Sequence, residues 1–166
     1  MNNLIARFLL VIYLTAQAAS AIADETAALT LFNQMNAIDI TGAHIALARS
    51  QSTPVKNLAN MIINDHEPIQ QEVNRMTNAL GLKLPAISDN KAYANTLNAL
   101  KSITINAFDQ AYLTHELEFS KDFIDKLKTE ILPALTHNEL KTYFAGLVPK
   151  FEAHFMHIQH TEMMVK

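Results

Sequence analysis

The chain has no cysteine and no tryptophan, and only three glycines and five prolines in 166 residues. Without cysteine there is no lipoprotein anchor and no disulfide, so stability must come from the buried core alone. Glycine is scarce and no alternating β-branched stretch is long enough to build a sheet. Apolar residues instead recur every three or four positions, the period of a helix. A Gly-x-Ser-x-Gly elbow and a glycine-rich phosphate loop are also missing, and serine and threonine fall mostly at caps and turns. Hydrolase and nucleotide-binding readings therefore drop out. The 13 basic and 16 acidic residues leave a net charge of −3. No basic stripe of the kind that grips a phosphate backbone is present, which argues against a nucleic-acid partner. At 17% charged and 49% apolar residues, the composition is that of a folded chain.

What is there begins with Arg7, the apolar run Phe8 to Ala19 and the small residues of SAIADE. This is the layout of a cleavable secretory signal. Two registers fit the small-x-small rule, before Asp24 and before Ile22. The first places acidic residues directly after the cut and is preferred. An uncleaved anchor is the competing reading, but the apolar run is shorter than the roughly 20 residues a span requires. The expectation is a signal at 1–23 and an exported, periplasmic domain at 24–166, with no transmembrane segment in the mature chain. Those 143 residues suffice for one domain with a sizeable core, and removal of Arg7 shifts the net charge to −4.

The periodicity predicts an all-α fold: a ferritin-like four-helix bundle of two hairpins, joined by a connection that holds a short helix. The first helix is expected over Glu25 to Ser50. The second starts with Thr53 as cap and Pro54 at the first helical position, and stops at Gly81. Pro68 lies inside it and should distort the turn beside His66. The connection carries Pro85, a helix start at Ser88 or Asp89, and a short helix around Lys91 to Leu100. The third long helix is expected over Ile105 to Ile131. Thr136 with Glu139 reads as a capping box that opens the fourth, which Pro149 should bend.

Each long helix places ionisable residues on its apolar face: Asp39, then Asp65 with His66, then His115 with Glu116, then His154. A buried carboxylate or imidazole costs several kcal/mol, on the order of 2–7, unless it is paired or bound to a metal. At 1.5 Å per residue, Asp39 and Asp65 are equally far from the turn near Ser52, and His115 and His154 are equally far from the turn near Ala134. Two readings follow. Inward-facing carboxylates and imidazoles on facing helices are how bundles build transition-metal sites, here for Fe, Zn, Mn or Cu. Alternatively they form a polar layer that fixes helix register without a ligand. No Glu-x-x-His of the di-iron type occurs. In HFMHIQH only His154 is clearly core-facing. His157 and His160 could chelate a surface metal or be ordinary exposed histidines, and Met156, Met163 and Met164 nearby add thioethers. His44 and His137 do not look like ligands, and packing is the expected role of Tyr112.

The stretches ALARSQSTPVK, LANMIINDH, FDQAY and LVPKFEAH together resemble a family of exported bacterial proteins, domain-of-unknown-function family 4142, over nearly all of Asp24 to Lys166. The resemblance implies a ferritin-like bundle outside the cytoplasm and brings no established activity. It also implies that Asp39 stands where the family tends to have glutamate, and that His66 and His154 match family histidines. Where the family usually has a second Asp-His pair, this chain has Phe119 and Ser120, so Glu116 or His115 would have to substitute. The expectation is a non-enzymatic exported bundle with a divalent metal at Asp39, His66, Glu116 and His154, and with Asp65 and His115 as their partners or alternates. The alternative is a cell-envelope structural or interaction protein with an envelope partner.

Overall fold

The computed structural model describes residues 2–87 and 91–165, and only the backbone of 2–21, 92 and 93. Its helices are α1 (Asn2–Arg49), α2 (Thr53–Ala79), α3 (Lys91–Ser102), α4 (Ile105–Lys126), α5 (Leu132–Ala134) and α6 (Asn138–Val165), with a π-helical turn at Leu127–Ile131. No strand occurs among the described residues. The expected start at Ser88 or Asp89 lies outside them. α1 begins well before the expected Glu25 and runs without a break to Arg49. No helix among the described residues is long and apolar enough to cross a membrane.

α1 and α2 form one hairpin, α4 and α6 the other, and α3 lies on α1. The Arg49 guanidinium, at the end of α1, covers the Phe108 ring near the start of α4, at 4.7 Å. At the opposite end Leu29 of α1 shares a buried cluster with Leu127 and Ile131. α4 is thus antiparallel to α1 and parallel to α2. The order is up, down, down, up with one long crossover, the connectivity of ferritin-like bundles. Arg49 also donates to the carbonyls of Leu100, Lys101 and Ile103, and so ties the crossover to the end of α1.

Local signals explain the boundaries, with three corrections to the expectation. The cap of α2 is Ser52, one residue before Thr53, and accepts from Val55 N–H at 3.5 Å. Its end is a Schellman motif: Leu82 N–H bonds Thr77 O, Gly81 N–H bonds Asn78 O, and Gly81 supplies the φ of 69°. The third long helix does not stay α-helical to Ile131. Pro133 lacks the N–H that would bond Thr129 O and its ring crowds that carbonyl, and the π turn directly before it accommodates this. Pro68 and Pro149 are carried within continuous helices. Finally, α6 is not opened by a Thr136–Glu139 box, since Glu139 pairs with Arg75. Glu25 does that work from α1. Its carboxylate accepts from Thr136 N–H (2.7 Å), His137 N–H (3.0 Å) and Thr136 Oγ1 (3.2 Å), and meets the His137 ring at 2.5 Å.

The apolar interior falls into two clusters. One holds Phe32, Phe123, Phe144 and Phe151 with Leu29, Val73 and Ile131. Phe32 meets Phe144 edge-on at 4.6 Å. The other holds Ala43, Val55, Leu58, Ile62, Phe108, Tyr112 and Ile158, with Leu97 and Leu100 of α3. On every long helix the residue between the clusters is polar: Asp39 between Met35 and Ala43, His66 between Ile62 and Ile69, Glu116 and Ser120 between Leu113 and Phe123, His154 between Phe151 and Ile158.

Burial raises the Glu25 carboxyl, but the backbone N–H groups of His137 and Thr136 and the His137 ring outweigh it and hold the group below its ordinary 4.5. A depressed carboxyl stabilises the fold above its unfolded pKa and loses that contribution as pH falls through the folded one. Glu25→Ala should cost on the order of 2 kcal/mol near neutral pH. In urea unfolding, its deficit relative to the wild type should shrink below pH 4.5.

Candidate metal centre

Each of the four long helices gives one ionisable group to the layer because a helix that is apolar at i, i+3, i+4 and i+7 aims its stripe at the bundle axis. Asp39, His66, Glu116 and His154 are all at least 94% buried. A small cavity of about 10 Å³, the space of roughly one water, is lined by Asp39, His66, Ser120, Phe123, Phe151 and His154.

The two histidines sit in a hydrogen-bonded row. Asn36 donates from Nδ2 to the His66 carbonyl (3.2 Å) and to Gln70 Oε1 (3.0 Å), which fixes its Oδ1 toward His66 Nδ1 at 2.9 Å. His66 Nδ1 must therefore carry the proton and donate. At the other end His154 Nε2 meets Asp65 Oδ2 at 2.6 Å and donates to that carboxylate. Asp65 is half-buried and held by Lys150 at 2.9 Å. His66 Nε2 and His154 Nδ1 then face each other across 3.2 Å. Burial, with His154 alongside, pushes His66 down to about 3. His154 is likewise lowered by burial, against the pull of Asp65. Two neutral imidazoles bring two protons, and both are spent on the outer acceptors. Two lone pairs consequently point into the same gap. This is the arrangement of metal-binding histidines, whose outer N–H is oriented by a carboxylate or carbonyl. Two nitrogens at roughly 2.0–2.1 Å from one tetrahedral ion lie roughly 3.3 Å apart.

The carboxylates are also short of partners. Asp39 Oδ2 lies 3.4 Å from His66 Nδ1. Asp39 Oδ1, Glu116 Oε2 and the Tyr112 hydroxyl are buried with no hydrogen-bond partner among the described residues. Burial, then the Asp39 charge, raise Glu116 well above the carboxylate range. Burial raises Asp39 to about 7. The Tyr112 hydroxyl is raised too, by burial and then by Glu116 and Asp39. The pocket lacks positive charge.

The structure brings five of the six expected residues into one connected group: Asp39, Asp65, His66, Glu116 and His154. His115 departs from it. Half-buried, it stacks on Phe119 at 5.6 Å, and burial lowers its pKa. Sequence reasoning missed Asn36, which sits one turn before Asp39 and fixes the His66 tautomer. It also missed Phe151, whose ring stacks on His66 at 4.9 Å and 9°. An asparagine on the apolar stripe of α1 was the available signal for Asn36. Among the described residues no three His, Asp or Glu side chains are yet drawn together around one point.

Against the di-metal template of one Glu on two helices and Glu-x-x-His on the others, Asp39 and Glu116 keep the single carboxylates, and His66 and His154 keep the histidines. The two glutamates three residues earlier are replaced by Ile63 and Phe151. The model of a domain of unknown function, DUF4142, matches residues 14–161. The chain belongs to the DUF4142 family. No curated protein and no solved structure matches it. In this DUF4142 protein the cavity wall on α4 is Ser120 with Phe123, and Phe119 and Ser120 stand where the resemblance implies that the family usually has an Asp-His pair.

The carboxyls and His66 oppose each other with pH. A raised carboxyl stabilises most below its unfolded pKa of 3.8 and loses that as pH rises through about 7 for Asp39. His66, depressed, contributes above 6.5 and loses this as pH falls toward about 3. They offset between 3.8 and 6.5; above 6.5 the carboxyl loss operates alone, from Asp39 up to about 7 and from Glu116, raised well above its ordinary 4.5, beyond that. Metal-free protein should therefore lose on the order of 1 kcal/mol, roughly 2–4 °C in Tm, between pH 6 and 8. Glu116→Gln should flatten that slope in a calorimetric pH series, because it removes the carboxyl that still gives up its proton there. An unchanged slope would show that Glu116 contributes nothing to it.

Proposed function

We propose that this chain is an exported, non-enzymatic ferritin-like bundle protein that holds a single divalent transition metal in its interior. The observation that carries this reading is the facing pair of imidazole nitrogens, His66 Nε2 and His154 Nδ1, 3.2 Å apart with their outer nitrogens already committed. A buried imidazolium would fill the gap only at the cost that holds His66 down near 3. A cation fills it without that cost, beside a cavity that Asp39, whose Oδ1 has no partner among the described residues, also lines. His66, His154 and Asp39 would be the ligands, with Glu116 beside them and Asp65 and Asn36 orienting the rings. Ile63 and Phe151, in place of the template glutamates, limit the site to one ion. Such an ion supplies Lewis acidity and, if it is iron, manganese or copper, a redox couple. The signal-like run Phe8 to Ala19 supports export.

A second reading, a register layer in an envelope structural or interaction protein, is favoured by the Asn36–His66–His154–Asp65 row itself, which links α1, α2 and α6 without any ion. Elemental analysis of protein exported natively and purified without chelators or a His tag separates the two. The metal reading expects near-stoichiometric Fe, Zn, Mn or Cu, lost in His66→Ala with helicity retained. Asp65→Asn should weaken metal affinity by roughly 10–100-fold. Metal-free wild type with no thermal shift on adding any of the four metals, together with a destabilised His66→Ala/His154→Ala double variant, would establish the register layer instead.

A further inference from the structure

The last two turns of α6 carry an unexplained group of side chains. Of the five large hydrophobic residues exposed among those described, three are methionines within nine positions: Met156, Met163 and Met164, at 53–67% exposure. Core packing does not account for them. Between this end of α6 and the start of α2 lies a cleft of about 340 Å³, walled by Pro54 and Leu58 and lined by Met61, His157, His160 and Met164. His157, His160 and Met164 are spaced i, i+3 and i+7, so they share one face of α6. Met61 of α2 faces them across the cleft. Two thioether and two imidazole side chains from two helices thus line one cleft, and no acidic side chain lines it.

That donor set is soft. Thioether sulfur selects Cu(I) over the hard and borderline divalent ions, imidazole suits copper as well as zinc, and the absence of carboxylates leaves nothing to favour Mn(II). No cysteine exists anywhere in the chain to compete for the ion. The donors stand on α2 and α6, which pack against each other. We propose that this cleft is a Cu(I) site, formed by Met61, His157, His160 and Met164 and separate from the interior layer. Met156 and Met163 do not line the cleft and serve as internal controls.

The test is an anaerobic titration of the untagged full chain with Cu(I) against a colorimetric Cu(I) chelator, alongside methionine-methyl NMR with Ag(I) as the probe. One Cu(I) equivalent should be withdrawn from the chelator. Affinity should fall at least tenfold in Met61→Leu/Met164→Leu and in His157→Gln/His160→Gln, and stay unchanged in His66→Ala. The Met61 and Met164 methyls should shift with Ag(I) while those of Met156 and Met163 stay in place. No competition with the chelator, loss of Cu(I) in His66→Ala but not in the cleft variants, or shifts spread over all the exposed methionines would each overturn the proposal.

Discussion

Two carboxylic acids and two imidazoles share the middle of an apolar bundle with no buried lysine or arginine among the described residues to balance them. Ionised carboxylates in such a place are costly, and the cost falls only if a proton is shared, a hydrogen bond is made or a cation is held. The other features of the interior are consistent with that constraint. Asn36 donates to a carbonyl and an amide so that its oxygen is left for His66. Asp65, paired with Lys150 near the surface, brings compensating negative charge to the outer edge of His154 without itself being buried. Phe151 closes one side by stacking on the ring of His66.

The layer also organises the packing around it. The aromatic cluster lies on one side, and the aliphatic cluster with α3 on the other. Each helix must deliver its polar residue at the same height, or a charge would be pressed into Phe32 or Ile62. That gives the bundle a single register, which a uniformly apolar interior would specify poorly. The up, down, down, up order permits it because every neighbouring pair of helices is antiparallel, so the residues meeting across the axis come from mid-helix in all four.

Much of this was readable from the residues. Helical spacing is a local property, and so is the placement of Asp39, His66, Glu116 and His154 on apolar stripes. Counting residues outward from the two turns put the members of each hairpin level. What the count could not supply was the height of one hairpin against the other, since that depends on where α3 docks. The apolar face of α4 favoured Glu116 over the adjacent His115, and the rotation of that helix in the bundle buries Glu116 and leaves His115 half-buried. The capping of α6 by Glu25 was illegible because its two partners stand more than a hundred residues apart, and Thr136 offered a plausible local alternative. The π turn before Pro133 escaped because the helical period continues through it.

Arg49 gives the crossover a property of its own. It grips the last carbonyls of the connection and covers the first aromatic ring of α4, so the position of α4 is set at the point where the chain returns to the bundle. The contacts that set it are to Leu100, Lys101, Ile103 and Phe108, none of them in the stretch from Leu82 to Ile87. A change in the length of that stretch would leave the Arg49 contacts, and with them the start of α4, in place.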